Sequence, residues 1–448
     1  MPKFPCKNVD LCNKILQADL TWIDGKLEQN VQVKIGGHGE IEKIGPGLSQ
    51  SEAEIVKLAG RALLPGMVSA HSHAFHRGLR GRSHIGEPGS QSFWGWRDDM
   101  YDYVLTLDEN GFYDICHRTF AEMKRTGITC VGEFHYFHHS DVKHHDYAFD
   151  RVILRAAKDV NIRISLLLTY YEQAGLTSDK QLVEAQKRFI VDDQAQFWKN
   201  FDNLGKTTIS TQTLGVAAHS IRAVSADNIK LLRTEAERRK VPFHMHMEEQ
   251  PQEMRDSESV LHQTPCAFVL QHLRPNQRFT GVHCSYTQPT ELRALMAKGA
   301  NVCVCPLTEG YLGDGIPNLP VSPEFQGQVS LGTDCNNRIC MAEEMRWLAY
   351  GQQLKHNQRG IGILGNREIA SKLFNTTTIN GARSLALENQ IGQIKTGYQA
   401  DCFTLKLDDF EFLGLHDVQA QLLDAFVFGG SCAAAVGETI VNGIMDSY

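Results

Sequence analysis

The feature that most constrains this chain is an alternation. Eight short apolar runs recur at residues 62–70, 129–134, 163–169, 213–218, 241–247, 279–282, 301–305 and 329–333. Helical stretches lie between most of them. Residues 109–125 carry Phe112, Ile115, Phe120 and Met123 and stop at Gly127. Residues 225–240 open on Ser225 and carry Ile229, Leu232 and Ala236. Residues 289–298 carry Leu292, Leu295 and Met296 before Gly299. Eight strands alternating with helices predict a parallel (β/α)8 barrel of the TIM type.

The two ends read differently. Residues 15–23 and 31–35 are short strands flanking an Asp24-Gly25 turn. After a turn at 397–401, the stretches 402–405 and 434–444 return to that style. Two β-rich ends can complete one small sheet. The expected organisation is a small β-sandwich domain from residues 1–60 and 393–448, beside a catalytic (β/α)8 barrel of residues 61–392.

Composition narrows the class. Apolar content of 42% and charged content of 22% are ordinary for a globular protein. A net charge of -7 with no basic tract argues against a nucleic-acid partner. The N-terminus has no apolar signal core, and no apolar run is long enough to span a bilayer. Twelve cysteines show no paired CxxC spacing, which favours reduced, buried thiols and a cytoplasmic protein.

Barrel chemistry collects at the C-terminal ends of the strands. Strand one ends in His71-Ser72-His73, and residues i and i+2 of a strand project to one side. Strand five ends in His244-Met245-His246 and is followed by Glu248-Glu249. Strand six ends in His283, and strand eight in Asp334. Imidazoles and a carboxylate at successive strand ends suit zinc or a similar transition ion. Such an ion lowers the pKa of a bound water toward neutrality. Of the neighbouring carboxylates, Glu249 can stand over the same mouth, whereas Glu248 reads as an exposed loop residue. The cluster His135, His138, His139, His144 and His145 reads as a polar loop after strand two rather than a second metal site.

These residues carry a resemblance. Leu64-Pro65-Gly66-Met67 leading into His71-Ser72-His73 resembles the first-strand motif of the amidohydrolase superfamily. The stretch 391–401 resembles that superfamily's return to its small β domain. Within it, the chain is similar to the formimidoylglutamate deiminase family. The matching stretches include 92–97, 133–139, 219–224, Thr308-Glu309-Gly310-Tyr311-Leu312-Gly313-Asp314-Gly315 and 343–348. Two stretches depart from the family pattern. His76 stands where Gln is usual, and Asp334-Cys335-Asn336 stands where Asp-Ser-His is usual.

The resemblance implies one Zn2+ per subunit, held by His71, His73, His246 and Asp334. It implies hydrolysis of N-formimino-L-glutamate to N-formyl-L-glutamate and ammonia, a step of histidine degradation, and a homodimer. Asp334 would take the water proton and Glu249 would protonate the leaving nitrogen. His283 would stabilise the tetrahedral centre. The substrate's two carboxylates would meet Arg97 and Arg222, with His76, Tyr136 and His219 beside them. Two alternatives stay open: a deaminase for another amidine, a guanidine or a purine or pyrimidine ring, and a metal-free scaffold.

Overall fold

A computed structural model describes residues 7–48, 53–82, 92–177, 181–320, 322–360 and 369–447. Eight parallel strands follow in chain order: β1 (Met67–Ser72), β2 (Ile128–His135), β3 (Arg163–Tyr170), β4 (Gln212–Ser220), β5 (Phe243–Met247), β6 (Phe279–His283), β7 (Asn301–Val304) and β8 (Val329–Leu331). Each pairs with its sequence neighbours. The ring closes just beyond β8, where Ser72 bridges Asp334 in parallel. There His73 N donates to Asp334 O at 2.9 Å, and Asp334 N donates to His71 O at 3.1 Å. Gly332 permits this closure, because a Cβ there would stand 2.7 Å from His71 Cβ and O. The barrel is therefore sealed by the backbone of its expected metal ligands.

The expected first strand is two. A strand Ile55–Pro65 belongs to the second sheet, and β1 begins only at Met67. Pro65 has no N–H to continue a ladder. Gly66 N donates instead to Asp401 O at 2.9 Å. The second sheet has nine strands among the described residues, drawn from both chain ends. Its central pairing joins Ile55–Pro65 to Cys402–Lys406, antiparallel on one side, and to Ile15–Ile23, parallel on the other. It has a core of its own, including Leu16, Val33, Ile35, Leu63 and Ile440. One buried ion pair ties the two sheets. Arg163, at the start of β3, grips Asp401 with Nε to Oδ2 at 2.6 Å and Nη2 to Oδ1 at 3.1 Å.

The helices expected at 109–125, 225–240 and 289–298 form as Glu109–Arg125, Ala226–Arg239 and Pro289–Ala297. A further helix, Val418–Phe428, lies between the C-terminal strands of the small sheet. Arg346 holds its C-terminal end, donating to Val427 O and Gly430 O.

Candidate active site

The site sits at the C-terminal mouth of the barrel. Glu248, His283, Cys284, Asp334 and Asn336 all have positive φ at or just past strand ends there. That left-handed backbone is strained for residues other than glycine and is held by its surroundings.

His71, His73, His246 and Asp334 converge. His246 Nε2 lies 3.2 Å from His71 Nε2. Asp334 Oδ1 lies 3.5 Å from both His71 Nε2 and His73 Nε2. The opposite nitrogens of two of these rings are committed elsewhere, while His71 Nδ1 has no hydrogen-bond partner among the described residues. His73 Nδ1 donates to Phe134 O at 2.8 Å, and His246 Nδ1 donates to His219 O at 3.0 Å. A carbonyl only accepts, so the neutral rings must turn their Nε2 lone pairs inward. Burial, then the charge on His71, lowers His73 to about 3. Burial likewise holds His71 and His246 well below 6.5. Neutral imidazoles with inward lone pairs are what a metal requires. Ligands of a tetrahedral ion stand roughly 3.3 Å apart, close to the spacings seen here. The residues present therefore fit a divalent ion.

Asn336 braces this array. Its Nδ2 donates to Ser72 Oγ, His73 O and Asp334 O, each at 3.0 Å. The unusual residue of the Asp334-Cys335-Asn336 run thus holds the ligand loop.

His283 differs electrostatically. Burial would lower its pKa, but Glu249, Glu309 and Asp334 together push it up to about 10. Its Nε2 lies 3.7 Å from Glu249 Oε1 and 3.8 Å from Asp334 Oδ2. Its Nδ1 faces Glu309 Oε1 at 3.3 Å. Sequence pattern alone assigns Glu309 no role. The same oxygen accepts Cys305 N at 2.9 Å, a contact that spacing alone does not announce.

A cavity of about 450 Å³ opens beside this centre. His76, Arg97, Tyr136, His219 and Arg222 all line it, together with Glu249. His76 Nε2 is hydrogen-bonded to Tyr136 Oη at 2.8 Å. His219 packs edge-on against Tyr136, ring centres 5.1 Å apart. Arg97 projects from the helix Phe93–Thr106 and lies over Trp94 at 4.5 Å. Its buried Nε has no hydrogen-bond partner among the described residues. Arg222 Nη2 donates to Glu249 Oε2 at 2.7 Å. Its Nε lies 3.4 Å from Glu253 Oε2 and makes no hydrogen bond.

Three expectations need correction. Glu248 is fully buried, not an exposed loop carboxylate. Its left-handed backbone turns the side chain inward, where Oε1 accepts Cys266 N at 2.8 Å in the first turn of the helix Pro265–His272. His244 is not part of the site, although it precedes His246 in the second HxH. It lies one barrel layer lower, with Nε2 donating to Ser384 O at 2.8 Å. The histidine-rich stretch is not uniformly a polar loop. His135, His138 and His139 are buried, and His144 and His145 are exposed.

No helix among the described residues is long and apolar enough to cross a membrane. The profile of the amidohydrolase family matches residues 62–445. The formimidoylglutamate deiminase of Pseudomonas aeruginosa is 31% identical over 90% of this chain and 88% of its own. A 5-methylthioadenosine/S-adenosylhomocysteine deaminase of Clostridium tetani is 25% identical over 87% of this chain and 82% of its own. The crystal structure of an amidohydrolase from Brucella melitensis superposes with a TM-score of 0.85 at 28% identity, covering 96% of this chain and 94% of the other. The barrel, its His and Asp mouth and these likenesses agree: the chain belongs to the amidohydrolase family, as a deaminase-type hydrolase of C–N bonds.

Proposed function

We propose that this enzyme hydrolyses N-formimino-L-glutamate to N-formyl-L-glutamate and ammonia. One observation carries the substrate class. Two guanidinium groups, Arg97 and Arg222, line one cavity beside the metal-ligand cluster, and the buried Nε of Arg97 has no hydrogen-bond partner among the described residues. An unpaired buried donor is costly, and a substrate with two carboxylates supplies an acceptor for each guanidinium. The 31% identity to a formimidoylglutamate deiminase supports the same reading.

His71, His73, His246 and Asp334 would hold one zinc ion, the donor set of three nitrogens and one oxygen being typical for that metal. Bound there, zinc would supply a water acidified toward neutrality. The chain's own groups do the rest. Asp334 takes the proton released as water adds to the amidine carbon. Glu249, three residues beyond His246, delivers a proton to the departing nitrogen. His283, with Nε2 facing the same centre, donates a hydrogen bond to the developing tetrahedral oxygen. Arg97 and Arg222 fix the two carboxylates, and His76, Tyr136 and His219 shape the space between.

None of the ten cysteines whose side chains are described forms a disulfide, a state expected of a cytoplasmic protein. A homodimer is the assembly that accompanies this reading.

The test is ammonia release from N-formimino-L-glutamate by zinc-loaded protein. Absence of turnover at any millimolar concentration would refute the substrate. The C. tetani relative motivates a second reading, a purine-ring deaminase. Arg222→Met separates the two. A dicarboxylate enzyme should show KM raised about 100-fold, and a ring deaminase little change.

A further inference from the structure

The carboxylate clamp and the proton donor are bound to each other. Arg222 Nη2 donates to Glu249 Oε2 at 2.7 Å, while Glu249 Oε1 lies 3.7 Å from His283 Nε2. One side chain thus bridges the substrate-binding arginine and the chemical centre. Arg222 has a second acidic neighbour of another kind. Glu253 is fully buried, with Oε1 accepting Glu248 N at 3.1 Å and Oε2 lying 3.4 Å from Arg222 Nε. Glu253 sits on the helix Pro251–Leu261 and is anchored behind the guanidinium. Glu249 lies on the preceding loop and lines the cavity.

The two carboxylates cannot respond alike to an incoming anion. A substrate carboxylate that enters the cavity meets Glu249 already paired with Arg222 Nη2, so a bidentate grip on the guanidinium competes with it. Glu253 stays, because it is packed and tied to backbone. A carboxylate oxygen engaged by arginine is also not free to reach a leaving group.

We infer that Glu249 is stored on Arg222 in the free enzyme and is released for catalysis when the substrate's carboxylate displaces it. Glu253 is the fixed counter-ion that keeps Arg222 in place during the exchange. Recognition of the substrate carboxylate that Arg222 takes is thereby coupled to turnover, and not only to affinity. The inference rests on the substrate reading above and deepens it.

The test uses zinc-loaded protein and two truncated substrates, the N-formimino derivatives of γ-aminobutyrate and of L-norvaline. Each lacks one carboxylate of N-formimino-L-glutamate. For the one lacking the carboxylate that Arg222 takes, kcat should fall roughly 100-fold, the scale of a missing proton donor. Added acetate should restore at least about tenfold of that loss by occupying Arg222. Arg222→Met, which frees Glu249 permanently, should turn over this truncated compound about tenfold faster than the wild type does, although it binds the full substrate worse. A plain clamp predicts the opposite sign or no change.

A crystal structure of the wild type with glutarate supplies a readout independent of turnover. Glu249 Oε2 should have left hydrogen-bond distance of Arg222 Nη2, with Glu253 unmoved. Glutarate bound on Arg222 with Glu249 still paired would overturn the exchange. So would a truncated substrate with unchanged kcat and no response to acetate. Exchange seen with glutarate, but no turnover of N-formimino-L-glutamate, would sink the substrate reading and leave the exchange standing.

Discussion

Two clusters of buried histidines around an aspartate stand within one barrel, and they do different things. At the mouth, Asp334 faces His71 and His73 at 3.5 Å, and the Nε2 atoms point toward one another rather than into acceptors. Behind β2, Asp150 faces His135 Nε2 at 2.9 Å and His138 Nδ1 at 2.8 Å. There His138 Nε2 also meets Thr169 O at 2.7 Å and Asn200 Nδ2 donates to Asp150 Oδ2 at 2.6 Å, while His135 Nδ1 has no hydrogen-bond partner among the described residues. The first array is organised around a shared point, the second around its own hydrogen bonds. Residue types alone do not separate them. What separates them is how the carboxylate is engaged: Asp150 is hydrogen-bonded to two rings and an amide, whereas Asp334 Oδ1 stands 3.5 Å from His71 and His73.

The comparison can be broken first at the mouth. Asp334→Asn should lower kcat about 1000-fold and weaken metal retention, read by steady-state kinetics and metal analysis of the dialysed protein. Normal retention with normal turnover would remove Asp334 from the centre.

The second cluster should answer in stability. Asp150→Asn should cost about 3–5 kcal/mol in urea unfolding, the usual result of breaking a buried charged contact, with metal content unchanged. Lost metal with unchanged stability would make the two clusters alike. The pH dependence sharpens this. Burial alone would raise the Asp150 carboxyl, but the His138 and His135 imidazoles override it and hold it well below 3.8. A folded-state pKa below the unfolded one contributes stability that is present above the unfolded value. It is lost as pH falls through the folded value. The gap between wild type and Asp150→Asn should therefore be full near about pH 6 and narrow below about pH 4.

The smallest effect belongs to His144, whose side chain is 74% exposed and touches only Asp141. His144→Ala should shift stability by less than about 0.5 kcal/mol and leave metal content and activity unchanged. A larger change in any of these would give the outer loop a role that its exposure does not support.

Much of the site was legible from residue order. His71, His73, His246, His283 and Asp334 could be placed at strand ends because the alternation of strand and helix is local, and strand ends in a barrel share one mouth. Glu249 was legible for the same reason. Its neighbour Glu248 was not, since a single left-handed residue reverses which way a side chain points. His244 misled because a period of two places it on the same face as His246 without saying at what depth. The helix Val418–Phe428 was hidden because residues 422–427 are nearly all apolar and lack a clear one-sided stripe.

The sequence by itself determined the barrel, the chain-end sheet and which histidines and aspartate stand at strand ends, since each follows from short-range pattern and from order along the chain. Tertiary structure alone decided the partnerships. Asn336 reaches Ser72 across 264 residues, Arg163 reaches Asp401 across 238, and Arg222 takes Glu249 and Glu253 from the next strand's loop and helix. Those contacts depend on strand register and on barrel closure, which place atoms to within ångströms. No spacing along the chain encodes that placement, and the chemistry depends on it.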